Sequence, residues 1–479
     1  MPRKDAKLTR RRRPRADRLG DLPDDLLLDI LRRLDTRTAL GAAAVSRRWA
    51  SLPRELPVLD LKVTDILPPR YHRCFRLRED ARDSKIDSTW SDRMLLEAII
   101  ARYERRAMRS MVCSVKGLLA SQARRRVDRL SLEVFAYSTS ACINRLVVDA
   151  VDSWGVRDLE VVATPTGPLK RRDPPAYSFP LGLISRKPGE SRLRSLKLAN
   201  CLPPPLQGFN SLTTLVLRDL PGPTPAAAYE GVVAACPQLQ VLHILSCEVK
   251  VRAGRVVLDA PRSEIRELVV GGELTSVEIR SLPKLESLAS QQADVLLCSA
   301  AAVPCLAQFF QGAITVKDLV LRFTGPEMWI MPTNPFSAMS NLRRLLVADV
   351  PSSWDVSWPR LLIEAAPLLE SLYVHVSRSE DEPRQEIPGE TSASRHRHLK
   401  ELVVIGFQRT ERQMHLVRFA VEVSTALRRV ALLKHGRVED KGLCDWEVVS
   451  QQSEWCDEER LAVLDGIGCS TRQIEVVLS

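Results

Sequence analysis

The side chains of this sequence that could do chemistry are few and poorly placed for it. His396 and His398 form the closest histidine pair, but Arg395, Arg397 and Lys400 surround them. A positive neighbourhood disfavours a cation, and no cysteine or carboxylate is spaced to complete a ligand set. Cys444, Cys456 and Cys469 are too widely spread for a zinc knuckle, and Trp446 and Trp455 beside two of them read as packing residues. There is no GxSxG, P-loop, GxGxxG or HExxH. Neither catalysis, a metal nor a cofactor is expected.

The wider composition points the same way. Eleven cysteines contain no CxxC, and the closest pair, Cys298 and Cys305, are seven apart, which suits reduced thiols in cytosol or nucleus. At 479 residues, 45% hydrophobic and 27% charged, the chain is folded but too long for one core unless that core is repetitive. The first residues lack the apolar run of a secretory signal. Val295–Val316 carries no charge and approaches a membrane-spanning length, but Pro304, Gln308 and Gln311 favour a buried helix plus strand. No membrane contact is expected.

Residues 1–18 hold nine Lys/Arg and two Asp, so +7 of the net +11 lies in this tail. Without apolar periodicity it is read as disordered. Lys7–Arg15, with Arg10, Arg11, Arg12 and Arg13 at its centre, is a candidate nuclear import signal; the alternative is a solubilising tail. A nuclear or cytoplasmic location follows. The rest of the chain is nearly balanced, so specific nucleic-acid binding is not expected.

Residues 19–61 carry a compact helical signal. Pro23 marks a helix start; Asp24 and Asp25 lie at its positive end, Arg32 and Arg33 at its negative end. Leu26, Ile30 and Leu34 recur every fourth position beside Leu27 and Leu31. A second helix from about Thr36 or Thr38 leads through Val45 towards Trp49. So short a segment cannot hide this apolar surface alone, which implies a partner.

The string LPDDLLLDILxxL followed by VSRRW resembles the opening of the F-box, above all that of plant F-box/leucine-rich-repeat proteins. The resemblance implies docking on a Skp-type adaptor that bridges to a cullin. Leu22 and Pro23 would be the anchors, supported by Leu26, Ile30 and Leu34, with Val45 and Trp49 at packing positions. The chain departs from that pattern near Pro53, where related sequences usually carry a second Trp.

From Val127 to about Leu432 an apolar trio at i, i+3 and i+5 recurs, as in Leu193-Leu196-Leu198, Leu215 within Leu212–Leu217, and Leu369-Leu372-Val374. Further copies start at Val127, Ile143, Val156, Leu239, Ile265, Val316, Leu342, Leu399 and Leu427, with a weaker one at Leu285. The i+3 and i+5 residues point to one side of a short strand, and stacked copies bury that side jointly. The expected fold is α/β: a small helical F-box (19–61), a helical linker (62–126), a leucine-rich-repeat solenoid (127–433) whose curved parallel sheet has helices outside, and a C-terminal cap (434–479). The closing CSTRQIEVVLS is similar to the end of FBD-type F-box proteins.

Between the two core positions of each strand, one residue should face outward: Val216, His243, Val269, Val320, Leu346, Tyr373 and Val403 among others. Two readings stand. These are ordinary β-formers, or they form an apolar groove for a protein client. The function expected from the resemblance is that of a non-catalytic substrate receptor in a ubiquitin ligase; the alternative is an interaction scaffold outside any ligase.

Overall fold

A computed structural model of the chain describes residues 22–42, 48–49, 51–83, 90–119, 127–136, 141–164, 177–180, 191–202, 206–207, 209–220, 225–245, 256–271, 277–290, 315–322, 339–352, 359–378, 395–442, 445–451, 455–467 and 473–479. Its fold is mixed α/β. Fourteen strands form one sheet, and their order across it is their order along the chain. They are Val58–Lys62, Arg129–Phe135, Asp158–Thr164, Ser195–Ala199, Thr214–Arg218, Val241–Leu245, Glu267–Val270, Ser287–Ser290, Asp318–Arg322, Arg344–Pro351, Ser371–Ser377, Glu401–Ile405, Arg429–Leu433 and Glu475–Leu478. Every ladder between them is parallel.

The apolar trio sets the register. Leu196 pairs with Leu215, Leu215 with Leu242, Leu242 with Leu268, and so on through Leu288, Leu319, Leu345, Leu372 and Leu402 to Val430. All of these are fully buried, so a slip of one residue would turn the whole column out of the core.

One trio does not make a strand. Ile143-Leu146-Val148 lies on the helix Ala141–Asp152, where Ile143, Leu146, Val147 and Ala150 are buried. The apolar pattern there continues to i+7, which is helical period, and that overrides the trio. Conversely, the first strand was hidden in the segment read as helical: Leu56, Leu59 and Leu61 carry the same spacing, and Val58–Lys62 is the sheet's first strand.

In several repeats a left-handed residue stands two positions beyond the last residue of the apolar trio. Asn200, Asp219, Asp349 and Gly406 all have φ between 49° and 77°. Asn200 also donates from its side chain to the Ala163 carbonyl of the neighbouring strand at 2.8 Å. At Gly406 no other residue fits, because an added Cβ would stand 2.1 Å from the Val376 carbonyl oxygen.

Helices pack on one face of the sheet. Tyr229, Val232, Leu362, Ile363, Leu416 and Val417 join the strand leucines there in a single core. Leu27, Leu31, Trp49 and Leu52 belong to that same core, so the N-terminal helices and the sheet are welded together. The outer edge of Val58–Lys62 is tied to them as well: the Asp60 N–H donates to the Thr36 hydroxyl at 2.9 Å. Between the first two strands stand the helices Pro69–Asp83 and Trp90–Leu119. Most of Val295–Val316 lies outside the described residues, among which no helix is long and apolar enough to cross a membrane.

Candidate functional site

On the first helix, Asp24–Arg32, the apolar residues extend beyond the side that faces the core. Leu27, Leu28 and Leu31 are buried. Leu26 and Leu34 are 49% and 40% exposed, Ile30 is half-buried, and Pro23 is exposed at the helix start. Leu22 is partly buried against the core. Five of the seven residues expected to meet an adaptor therefore lie around one helix. Trp49, expected at a packing position, is a core residue, and Val45 falls outside the described residues.

The loop that carries Leu22 and Pro23 is fixed by a side chain the sequence did not single out. Arg48 donates to the Asp24 carboxylate at 2.8 Å and also to the Leu22 carbonyl. Its place in the VSRRW string, beside buried Trp49, was the available signal. On the next helix, Thr36–Gly41, Asp35 caps the start by accepting from the Thr38 N–H at 2.9 Å. Hydrogen bonds from Thr38 hold the Asp35 carboxyl below the usual carboxylate range.

The second face of the sheet carries the outward column, and alternation holds: Val269, Val320 and Leu346 form one cluster away from the main core, Val403 another. The expectation that this column lies open is corrected. Val269, Val320, Leu346 and Val403 are buried, and only Val216, His243 and Tyr373 are half-buried. A hairpin, Gly436–Gly442 with Asp445–Ser450, packs its Trp446, Val438 and Val448 against these clusters.

Trp446 is the hairpin's deepest contact. Its ring lies 4.3 Å from the Arg344 guanidinium and meets Tyr373 edge-on at 5.8 Å. Tyr373 donates to Glu401 at 2.6 Å, and burial, then Glu401, pushes its hydroxyl up to about 12. Arg429 also donates to Glu401, at 2.8 Å. Gly436 lets the hairpin come close: an added Cβ would be 3.1 Å from Ile405. His243 is not an open contact either, because its ring meets the Glu267 carboxylate at 2.5 Å.

His396 ties together the segments that lead into two neighbouring strands. Its Nε2 donates to the Ala366 carbonyl at 2.9 Å, and its Nδ1 accepts from the Leu399 N–H at 3.0 Å. Both ring nitrogens are thus used in structure. Among the described residues no group of His, Cys, Asp and Glu could hold a metal. Arg10, Arg11, Arg12 and Arg13 lie outside the described residues.

The family model described as F-box-like matches residues 19–55. An F-box/FBD/LRR-repeat protein of Arabidopsis thaliana is 39% identical over 59 residues, 12% of this chain and 13% of that protein. An FBD-associated F-box protein of the same plant is 41% identical over 58 residues, 12% and 13% of the two chains. A further F-box/FBD/LRR-repeat protein is 42% identical over 55 residues, 12% of each. The chain thus spans only 12–13% of the length of these curated relatives. Residues 19–55 thus match an F-box-like domain, and over 12% of its length the chain is similar to these Arabidopsis F-box proteins.

Proposed function

We propose that this chain is the non-catalytic substrate receptor of an SCF-type ubiquitin ligase. Its F-box docks a Skp-type adaptor and, through it, a cullin; its sheet is the inner face of a leucine-rich-repeat solenoid that receives a protein client. The observation that carries the reading is the division of the first helix. Leu27, Leu28 and Leu31 already fill the protein's own core, which leaves Leu26, Ile30 and Leu34 for another molecule. The strict chain order of the parallel strands is what stacked repeats produce.

Capture of the tagged chain from cells tests this. Recovery of adaptor and cullin together is expected. Recovery of client proteins without cullin would return the chain to the role of a scaffold. The tail around Arg10–Arg13 is proposed as the import signal, and an unchanged nuclear fraction after deletion of residues 1–18 would refute that.

A further inference from the structure

The hairpin Gly436–Ser450 is built as a separable piece. Its two strands hydrogen-bond to each other and, among the described residues, form no ladder with the fourteen-stranded sheet. Its base is closed by the Gln451 N–H donating to the His435 carbonyl at 3.2 Å. Lifting the hairpin therefore breaks no ladder in either sheet.

Among the described residues, side-chain contacts hold it down. Alternation along the hairpin turns Val438, Trp446 and Val448 towards the large sheet. The opposite side carries charges that satisfy one another, Arg437 with Glu439 and Lys441 with Glu447 at 2.8 Å. At the centre the sheet grips a dipeptide by two means. Arg344 stands 3.6 Å from the Asp445 carboxylate while its guanidinium covers the Trp446 ring, and Tyr373 meets that ring edge-on. The hairpin does not fill the face: a cleft of about 440 Å³ remains beside Trp446, bordered by Tyr373, Val403, Arg429 and Val448.

We propose that the Gly436–Ser450 hairpin is a displaceable internal occupant of the sheet's second face. The partner this face accepts is an extended protein segment that presents an acidic residue followed by an aromatic one, as Asp445–Trp446 does. The inference rests on the reading of the sheet as a client surface and gives that client a chemistry. Arg344 supplies both the charge and the stacking plane for such a pair, and Tyr373 sets the edge-on contact. The covered column then has a use: Leu346 and Val403 become available only when a competing segment replaces the hairpin.

A fluorescent synthetic peptide of residues 434–451 supplies the probe, titrated into the full chain under reducing conditions. It is expected to bind the Trp446→Ala chain at least tenfold more tightly than the wild type, in which the site is occupied. Trp→Ala within the peptide, or Arg344→Ala added to the chain, should each remove that gain. Hydrogen exchange of the hairpin amides should accelerate in Trp446→Ala while that of Ser371–Ser377 is preserved. If Trp446→Ala fails to fold, Asp445→Lys keeps the ring, sets a cation against Arg344 and serves the same comparison. Equal peptide binding by wild type and variant, or hairpin exchange that no variant accelerates, would overturn the proposal. The assay contains neither adaptor nor cullin, so its failure leaves the docking role of Leu26 and Leu34 untouched. A client that binds equally well with the hairpin shut would keep the receptor reading and overturn this one.

Discussion

Arg48 donates a hydrogen bond to the main-chain carbonyl of Leu22 while pairing with Asp24, and so ties the VSRRW string to the start of the first helix. Both partners are largely exposed, so the contribution to global stability is small, about 0–1 kcal/mol. Its effect should fall on geometry instead. Arg48→Ala is expected to lower adaptor affinity about fivefold, near 1 kcal/mol, with an unchanged melting temperature. Lysine at the same position, unable to span both acceptors, should recover only part of the loss.

Leu372 and Tyr373 are adjacent yet serve opposite faces. Leu372→Ala should destabilise the chain by about 2–5 kcal/mol, because it opens a cavity in the continuous core. Tyr373→Ala removes a half-buried ring, its bond to Glu401 and its contact with Trp446. It should cost less, about 1–2 kcal/mol, and should loosen the hairpin. Chemical denaturation of both variants checks this; equal losses would mean that the register of this strand is wrong.

Gly406 offers a backbone test. With φ at +77° and the Val376 carbonyl 2.1 Å from any added Cβ, Gly406→Ala must strain the turn and move the neighbouring strand. A loss above about 2 kcal/mol is expected. Gly155, at φ +66° in open space, should cost only the conformational part, about 1 kcal/mol. Similar losses at the two positions would remove the close approach from the explanation.

His396 makes stability depend on pH. Burial lowers its pKa, the bond to Ala366 partly opposes this, and His398 adds to the lowering. The folded chain therefore favours the neutral ring. Its contribution is fully present above the unfolded value of about 6.5 and is lost as pH falls through the lower folded value. The stability gap between wild type and His396→Gln should narrow on going from pH 7.5 to 5.5. A gap that stays constant would mean that the ring does not titrate differently on folding.

Much of this was legible in the sequence because repetition multiplies a weak signal. One i, i+3, i+5 trio means little, as Ile143-Leu146-Val148 shows by lying on a helix. Leu56-Leu59-Leu61 was hidden for a different reason: it follows the F-box helices directly, and the helical pattern around it dominated. The left-handed residues Asn200, Asp219, Asp349 and Gly406 recur two places after the last residue of the trio, a signal present in the sequence. The covering of the outward column could not be read at all. Val438, Trp446 and Val448 show an alternating strand pattern, but no local feature says which distant surface that strand will meet. The packing role assigned to Trp446 and Trp455 was visible; that they pack on opposite faces of the sheet was not.

The most direct measurement is the affinity of the purified full chain for a Skp-type adaptor, by calorimetry, with the two sides of the first helix compared. Leu26→Ala with Leu34→Ala removes exposed apolar surface and should leave the melting temperature within a degree or two. It should weaken adaptor binding by at least tenfold, since each leucine buried at an interface is worth about 1.5–3 kcal/mol. Leu31→Ala, on the buried side, should do the reverse: lower stability by about 2–5 kcal/mol and spare the affinity of the chain that remains folded. Undiminished adaptor binding by a folded Leu26→Ala, Leu34→Ala chain would contradict the docking of this helix on an adaptor.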